Sequence, residues 1–466
     1  MESTAEAPRS GFWWGAATSS YQIEGGVDED GRGPSIWDTF TRAGDHIVDG
    51  STGDIACDHY HRWADDVALL AELGVGAYRF SINWPRIQPT GAGPANPAGI
   101  AFYDRLVDAL LERGIAPAVT LYHWELPQAL QDAGGWSARD TALRFGEYAA
   151  TVAAALGDRV ALWLTLNEMA VHTVYGHIWG MHAPGQQLVE DPFPVVHHQL
   201  LAHGLAVAAV RAHSRAPVGA ANNYSPAWAV GPDGKQDSAT DEDRQAALLY
   251  DLFHNRLYTD PILTGAYPAG LEPLPGSHRL TDPQLVRDGD LATIAAPTDA
   301  LGVNYYNPTG VGAPSWPGPL PYDMRIITGY PMTYFGWPVV PDAFRDLLLS
   351  LRERYGDALP PIYVTENGCA YEDVPGADGT VDDQDRIAFH QSHIDALTQA
   401  IRAGVDVRGY FAWSLIDNFE WAEGYTKRFG LVHVDFATLK RTPKASFAWY
   451  RDHIRSAVGA GAPSTS

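Results

Sequence analysis

Short apolar runs rich in β-branched and aromatic residues alternate along the whole chain with longer stretches whose apolar positions recur every three or four residues. The first pattern is typical of buried strands and the second of amphipathic helices. Strands that alternate with helices predict parallel βα units, and eight such units close a barrel. The eight predicted strand segments are 11–25, 77–84, 116–125, 161–168, 216–225, 299–306, 360–368 and 407–417.

Two of the stretches between the predicted strands have clear helical patterns. RWADDVALLAELG places Trp63, Val67 and Leu70 on one stripe and stops at Gly74, a residue suited to end a helix. SARDTALRFGEYAATVAAALG begins with Ser137 and has an acidic residue three positions later, a variant of the capping box. We therefore predict helices over both stretches, with Ser137 as the cap of the second.

The chain reads as a single α/β domain, because no repeat, composition shift or low-complexity linker divides it. We predict a (β/α)8 (TIM) barrel over residues 11–456, with flexible segments at 1–10 and 457–466. Residues 226–298 and 308–340 are rich in Gly, Pro and Trp and are predicted to be long loops that decorate the barrel.

Composition and charge exclude several classes of partner. With 45% hydrophobic and 19% charged residues among 466, the chain has a globular composition. Its formal net charge of −24 disfavours nucleic acids and anionic membrane surfaces. Cys57 and Cys369 are too few for a disulfide framework and lack the spacing of a zinc site, and we expect neither metal nor cofactor. The start, MESTAEAPRS, lacks the apolar core of a signal peptide, and no uninterrupted apolar stretch approaches the length of a membrane helix, so we expect a cytoplasmic protein.

Polar side chains stand at the ends of nearly all the predicted strands. In a parallel barrel these carboxyl ends meet at one face, which carries the chemistry. Two ends have the same form, since the apolar runs ALWLTLNE and PPIYVTENG both lead into an adjacent pair of Asn and Glu. We therefore predict that Glu168 and Glu366 face each other across the mouth of the barrel, although they lie far apart in sequence.

Cleavage of a glycosidic bond needs such a pair of carboxyl groups. One protonates the leaving oxygen, and the other meets the positive charge that develops at the anomeric carbon. The acid needs a pKa raised by burial and by a nearby negative charge, whereas the nucleophile must stay ionised. We place Arg79 and Tyr306 beside Glu366 as hydrogen-bond donors, and we place Asn167 near the 2-hydroxyl of the sugar.

Six segments carry a resemblance to a known family. FWWGAATSSYQIEGG, LYHWELPQAL, LTLNE, GVNYY, IYVTENG and WSLIDNFEWAEGYTKRFGLVHVDF resemble, in the same order, the motifs of family 1 glycoside hydrolases, the β-glucosidase group. The resemblance runs from about Gly11 to Arg455. It implies a retaining exo-β-glycosidase that removes terminal β-D-glucosyl residues from oligosaccharides or from aryl and alkyl glucosides. It also implies Glu168 as the acid/base residue and Glu366 as the nucleophile of a covalent mechanism.

The same resemblance implies residues that bind a small β-glycoside substrate. Trp413 would be the stacking platform for the terminal sugar, Glu420 would bind its 4- and 6-hydroxyls, and Tyr306 would also orient the nucleophile. Trp337 is expected on the side of the leaving group, the aglycone. The implied sugar-binding residues are Gln22, His123, Asn167, Asn304, Tyr306, Trp413, Glu420 and Trp421.

The sequence departs from the family pattern at two places. Met169 and Ala170 follow the acid/base residue, where the family usually has proline and then an aromatic residue, so we expect a reshaped aglycone side. Cys369 replaces an aliphatic residue and is predicted to be a small core residue rather than a reactive thiol.

The last motif bears on phosphorylated substrates. The phosphoglucosidase branch of the family has a phosphate clamp near this motif, where the present chain has Glu420 and Trp421. Lys427 and Arg428 lie downstream and are predicted to be a structural pair. We therefore expect unphosphorylated sugars.

The same sequence features are compatible with other functions. A preference for β-galactosides or β-fucosides, or transfer of the sugar to an acceptor other than water, fits the same residues. A sugar-binding barrel without turnover and a metal-dependent barrel hydrolase are more remote alternatives. The second rests on His59 and His61 in DHYHRW, with His197 and His198 as further nitrogens, but this pattern precedes a helix instead of ending a strand.

Overall fold

Eight parallel strands close into a barrel in the computed structural model, which describes residues 11–315, 318 and 320–460. The strands follow one another round the barrel in chain order. The first strand pairs with both the second and the eighth, so that Ala16 faces Tyr78 on one side and Ala412 on the other. Each of the eight predicted segments contains a strand, and the strands are Trp13–Ala17, Ala77–Ser81, Ala116–Tyr122, Leu162–Asn167, Val218–Asn223, Ala300–Asn304, Ile362–Asn367 and Val407–Trp413. The first predicted segment is wrong in its second half, where Ser20–Ile23 forms a short helix.

Two hydrophobic clusters hold the barrel together. Alternate strand residues point into the barrel or toward the helices. One cluster is built mainly from small and branched strand residues such as Ala77, Ala118 and Leu164, and it includes Trp413 at the carboxyl end of the eighth strand. A larger cluster packs the strands against the helices. Together they give the strand ends a rigid support.

The helices surround the strands. The predicted helix that stops at Gly74 is confirmed, with Val67 and Leu70 fully buried and Gly74 in the left-handed conformation at a φ of 77°. The longer helices are Ile36–Arg42, His59–Leu73, Pro97–Leu111, Arg139–Leu156, Phe193–Arg211, Asp241–Tyr250, Pro341–Tyr355, Gln384–Arg402 and Ala445–Ala460. Short α-helices are Ser20–Ile23, Trp84–Ile87, Gln128–Asp132, Met169–Val171, Asp260–Thr264 and Asp290–Ile294. The 3-10 helices are Gly135–Ser137, Gln236–Ser238, Ser277–Thr281, Gly356–Ala358 and Trp421–Glu423, and the π-helices are His172–Ile178 and Asp251–Arg256.

The predicted cap of the helix Arg139–Leu156 is wrong. Ala138, and not Ser137, occupies the cap position, and it makes no side-chain hydrogen bond to the helix. Ser137 instead ends the preceding 3-10 helix. The hydroxyl of Thr141 donates to the carbonyl of Gly135 at 2.6 Å and ties this 3-10 helix to the first turn of the α-helix. Ser137 therefore belongs to the separate 3-10 helix that precedes the α-helix.

The two long connections contain regular structure that the sequence analysis read as loops. The strands Ala227–Ala229, Thr309–Gly312 and Asp323–Arg325 form a three-stranded sheet outside the barrel. The helix Asp241–Tyr250 begins with a capping box between Thr240 and Asp243. A further pair of strands, Val432–Asp435 and Lys440–Pro443, is antiparallel. Strands of three or four residues are too short to show a clear hydrophobic alternation, which is why this prediction was incomplete.

The last helix extends past the predicted end of the domain. It continues to Ala460, so the boundary placed at 456 falls inside it, because Ile454 and Ala457 still pack against the core. The predicted flexible residues 1–10 and the tail from 461 onward lie outside the described residues. The helix Phe193–Arg211 has the length and composition of a membrane span, a feature that the sequence analysis did not anticipate, and most of it is buried inside the protein.

A buried network of charges ties the last helix to the carboxyl ends of the seventh and eighth strands. Lys444 Nζ lies 2.6 Å from Asp373 Oδ2 and 2.7 Å from Asp417 Oδ1. Arg386 binds Asp373 and Asp383 from the other side, and none of these charged groups is more than 1% exposed. Burial alone would raise the pKa of Asp417, but Lys444 and Arg428 hold it below its ordinary value.

Replacing Lys444 with methionine is expected to destabilise the fold by about 3–5 kcal/mol, since it removes the cation that lies between two buried carboxylates. Each carboxylate then keeps a single arginine as its counter-charge. Urea unfolding monitored by tryptophan fluorescence measures the loss. Lys440 is exposed and is the control, because Lys440→Met should change the free energy of unfolding by about 0.5 kcal/mol or less. Equal stabilities of the two variants would show that the buried network adds nothing.

Candidate active site

A cavity of about 540 Å³ opens at the carboxyl ends of the strands. Its lining includes both predicted catalytic glutamates, Glu168 and Glu366, together with a third carboxyl group, Glu420. The ends of the fourth and seventh strands therefore meet in one cavity, as predicted. The other predicted site residues that line it are His123, Tyr306, Trp337, Trp413 and Trp421.

Glu366 lies on the seventh strand between a cation and a phenol. Arg79 Nη1 donates to its Oε1 at 2.6 Å, and the Tyr306 hydroxyl donates to its Oε2 at 2.6 Å. Each carboxylate oxygen therefore accepts a hydrogen bond, and one of the two donors is a cation. This is the environment that the sequence analysis proposed, and it is the environment that a carboxylate nucleophile needs.

Glu168 has a different environment. It follows the fourth strand directly and has a left-handed backbone with a φ of 51°, a conformation that few residues other than glycine adopt. Its Oε1 accepts hydrogen bonds from the side-chain amides of Asn304 at 2.8 Å and Asn223 at 3.2 Å. Burial and the negative charge of Glu366 raise its pKa to about 8. The neutral form therefore predominates at neutral pH, and its proton belongs on Oε2.

A hydrogen-bonded bridge connects the two glutamates. Arg79 binds Glu366 with one nitrogen and donates from Nη2 to Asn167 Oδ1 at 2.6 Å. The same oxygen accepts from Asn304 Nδ2 at 3.0 Å, and that nitrogen also reaches Glu168. The linked residues stand on, or directly after, the second, fourth, sixth and seventh strands, so the closed barrel fixes the relative position of the two carboxyl groups.

His123 and Glu420 line the cavity with polar side chains. Burial and the charge of Arg79 lower the pKa of His123 far below its usual range, so its ring is neutral. Asn167 Nδ2 donates to His123 Nε2 at 3.1 Å, which leaves Nδ1–H as a donor with no partner in the described part of the chain. Gln22 Nε2 donates to Glu420 at 3.2 Å. Burial and repulsion from Glu366 and Glu168 raise the pKa of Glu420 well above its ordinary value.

Aromatic rings form walls for the cavity. The ring of His123 lies nearly parallel to Trp413 and to Trp421, at 5.8 Å between centroids in both cases. Trp337 stacks on Phe335 at 4.1 Å and approaches Tyr306 at 5.3 Å. Flat apolar faces beside hydrogen-bonding groups suit the two kinds of surface that a sugar ring presents.

Three predicted sugar-binding residues lie one layer beneath the cavity. Gln22, Asn167 and Asn304 are almost completely buried, and each hydrogen-bonds a residue that lines the cavity. Both donors of Asn304 are used by Asn167 and Glu168, so the structure places it as a support for Glu168. A direct contact of the other two with substrate stays a prediction.

Several features of the site were not predicted as such. Asn223 was not among the predicted site residues, and its bond to Glu168 requires the fifth strand to lie beside the fourth. Met169 and Ala170 are buried in the hydrophobic core. From the segment that follows them, Val171, Val174 and Tyr175 reach the cavity instead.

The other predictions about single residues have clear outcomes. Cys369 is fully buried, as predicted for a core residue, and burial raises the pKa of its thiol. Arg428 pairs with Asp417 at 2.7 Å, and Lys427 reaches the carbonyl of Tyr334, which agrees with structural roles.

The histidines of the metal alternative do not converge. His59 pairs with Asp66, and His197 pairs with Asp290. Among the described residues no group of three or more His, Cys, Asp or Glu side chains is arranged to hold a metal ion.

Comparison with known proteins gives a consistent assignment. The model of glycosyl hydrolase family 1 matches residues 5–458. β-Glucosidase A of Thermotoga maritima is 43% identical over 96% of this chain and 97% of its own length. A bifunctional β-D-glucosidase/β-D-fucosidase of Bifidobacterium breve is 46% identical over 95% of this chain and 97% of its own length. The crystal structure of a psychrophilic β-glucosidase from Micrococcus antarcticus superposes with a TM-score of 0.91 at 42% identity, covering 98% of this chain and all of that one.

Proposed function

The chain belongs to glycosyl hydrolase family 1, and we propose that Glu366 is the nucleophile and Glu168 the acid/base residue of its retaining β-glucosidase reaction. The observation that carries this assignment is the contrast between their surroundings. Glu366 is held by a cation and a phenol, whereas Glu168 is held by two neutral amides and has a pKa raised to about 8. Two carboxyl groups whose environments separate their acidities are the arrangement that this chemistry requires.

The first half of the reaction forms a glycosyl-enzyme. A Glu366 oxygen attacks the anomeric carbon, and the bond from that carbon to the leaving oxygen breaks. Glu168 gives its proton to the leaving oxygen, which departs as a neutral alcohol. The positive charge that develops on the sugar lies beside the carboxylate of Glu366.

The second half regenerates both residues. Once Glu366 is esterified it carries no charge, so the repulsion that helps to raise the pKa of Glu168 disappears. Glu168, which has lost its proton to the leaving group, is then stable as a carboxylate. It takes a proton from water, whose oxygen attacks the anomeric carbon and releases Glu366. Two displacements at one carbon retain its configuration.

Two measurements test the assignment. Proton NMR of the first product formed from nitrophenyl β-glucoside should show β-glucose, and initial α-glucose would exclude a retaining mechanism. A 2-deoxy-2-fluoroglucoside with a good leaving group should trap the covalent intermediate. Mass spectrometry of peptides should then find the added sugar on Glu366. A label on any other residue would overturn the proposed role of Glu366.

The activity is expected to fall as the pH rises through about 8, where Glu168 loses the proton that it must donate. The fall should appear in kcat/KM, which reports the free enzyme. The same raised pKa contributes stability that is complete below the ordinary carboxyl pKa and is lost as the pH rises through about 8.

The fall in the wild-type protein should be large for methyl β-glucoside, which needs the proton, and less than about ten-fold for nitrophenyl β-glucoside. With nitrophenyl β-glucoside, Glu168→Gln should remove this smaller fall. Glu125 provides the control, because burial also raises its pKa to about 8 and it does not line the cavity. Glu125→Gln should keep the alkaline fall. An alkaline fall that survives in Glu168→Gln would assign the titration to another group.

The substrates that we propose are unphosphorylated β-glucosides, either oligosaccharides such as cellobiose or aryl and alkyl glucosides. We propose that Glu420, which lines the cavity, binds sugar hydroxyls. Activity on β-fucosides is a second candidate, supported by the bifunctional relative from Bifidobacterium breve. Nitrophenyl β-glucoside, β-galactoside and β-fucoside share one leaving group, so their kcat/KM values compare the sugars alone.

We also propose a cytoplasmic location. Its support is that Cys57 and Cys369 are both free and buried, so the described fold uses neither in a disulfide. The acidic net charge of −24 further argues against nucleic acids and anionic membranes as partners. Activity in the soluble fraction of lysed cells, and not in the medium, tests the location.

A further inference from the structure

The cavity continues outward from the two glutamates to an opening surrounded by apolar side chains. Four of them, Met181, Met324, Ile326 and Met332, line the cavity and are exposed by 53%, 49%, 76% and 40% of their surface. We call these four residues the apolar rim. Met181 comes from the connection after the fourth strand, and the other three come from the connection after the sixth strand. The chain has five methionines in total, and three of them are in the rim.

Apolar walls lead from the rim toward the catalytic residues. Tyr175 and Trp179 contact each other edge to face at 4.9 Å between centroids, and Phe335 and Trp337 stack at 4.1 Å. All four line the cavity. Large apolar side chains that stay exposed and continue a ligand cavity indicate a surface that the ligand covers. Methionine side chains adapt to ligands of different shape.

Three of the polar side chains that line the cavity beside these walls already have partners inside the protein. The Arg325 guanidinium donates to two backbone carbonyls and to the carboxylate of Asp243. Asn223 is held by Glu168 and His254, and the Ser225 hydroxyl is bonded to a carbonyl and to Thr309. A leaving group with several hydroxyls would lose hydrogen bonds to water here. Because these protein groups are already bonded to one another, they would not replace those hydrogen bonds, and the loss costs free energy.

We propose that the apolar rim selects β-glucosides whose aglycone is an extended alkyl chain or a flat aromatic system over those whose aglycone is another sugar. This inference rests on the proposed function and narrows it to one class of substrate. The glucosyl group would occupy the inner cavity at Glu168 and Glu366. The aglycone would then lie along the aromatic walls and reach the rim, where burying its apolar surface provides the binding energy.

A series of alkyl β-glucosides tests the proposal, because leaving-group acidity hardly changes between butyl, hexyl and octyl alcohols. Complete burial of a methylene corresponds to an increase of about four-fold. At an open rim we expect kcat/KM to rise about two-fold per methylene, or about 16-fold from butyl to octyl. All substrates are used below the concentrations at which they form micelles. Octyl β-glucoside should also have a higher kcat/KM than cellobiose.

Ile326→Ser and Met324→Ser should both flatten the dependence on chain length, expressed as the ratio of octyl to butyl kcat/KM within each variant. Ile55→Ser is the matched control, since Ile55 is 63% exposed but does not line the cavity. It should keep the full ratio. A wild-type ratio close to one, or equal ratios in Ile326→Ser and Ile55→Ser, would overturn the proposal.

Failure of this inference and failure of the proposed function give different results. If the wild-type protein hydrolyses nitrophenyl β-glucoside through Glu366 but shows no dependence on chain length, the function stands and the selectivity is wrong. If it hydrolyses none of these glucosides, the function itself fails. Reduced octyl/butyl ratios in both rim variants, with the control unchanged, would establish the rim as the determinant of aglycone preference.

Discussion

Glu366→Gln is expected to lower kcat/KM for nitrophenyl β-glucoside by about 10⁴-fold or more. The amide keeps the size of the carboxylate but cannot form the glycosyl ester. It also lacks the charge that stabilises the developing positive charge on the sugar. A good leaving group does not remove this requirement, so activated and ordinary substrates should both be affected.

The same change alters the neighbours of Glu366 in a predictable way. Arg79 is 1% exposed, and its other hydrogen bonds go to neutral oxygens of Thr120, Asn167 and Thr365. Glutamine retains an oxygen for Arg79 but not the opposite charge, so the variant should be somewhat less stable. The pKa of Glu168 should fall, because one cause of its rise is the charge of Glu366.

Controls separate the loss of the nucleophile from loss of structure. Glu125→Gln changes another buried glutamate near a strand end and should retain activity within a few-fold, because Glu125 does not line the cavity. In Glu366→Gly the space left by the side chain admits a small anion. Azide should then attack the anomeric carbon directly and yield the α-glycosyl azide. Full activity in Glu366→Gln, or a β-glycosyl azide as the product, would contradict the role of Glu366.

The barrel could be predicted from the sequence because its signals are local and repeated. Each strand is a short apolar run, so it can be recognised as a strand from its own residues, without knowing which strands lie beside it. The strand ends ALWLTLNE and PPIYVTENG indicate the proposed catalytic pair, because a charge directly after a buried strand is costly unless the fold uses it. Strand order in a parallel barrel then brings the two ends to one face.

The parts that escaped prediction depend on contacts between distant segments. Asn304 and Asn223 are both asparagines at strand ends, and only the register of neighbouring strands shows that both donate to Glu168. The three-stranded sheet joins segments from two different connections, each too short to have a pattern of its own. The apolar rim was recognised from the solvent exposure of its side chains, and the sequence does not show which methionines are exposed in the folded protein.

Glu168→Ala is expected to have an effect that depends on the leaving group. Methyl β-glucoside and cellobiose release an alcohol that needs a proton, so kcat/KM should fall by about 10²–10⁴-fold. A nitrophenolate leaves without a proton, and its kcat/KM should change by less than about ten-fold. Because kcat/KM reports only the steps up to the formation of the glycosyl-enzyme, the missing base of the second half does not obscure this contrast.

The second half of the reaction gives an independent measure of the same residue. Without Glu168 no base activates water, so for nitrophenyl glucoside kcat should fall while KM falls with it, since the glycosyl-enzyme accumulates. A burst of nitrophenolate equal to the enzyme concentration should precede a slow steady state. Azide needs no base and should restore turnover with a β-glycosyl azide as product, opposite in configuration to the product of Glu366→Gly. Equal losses for nitrophenyl and methyl glucosides in kcat/KM, without a burst, would instead mean that Glu168 only supports the fold of the site, because a structural defect does not distinguish one leaving group from another.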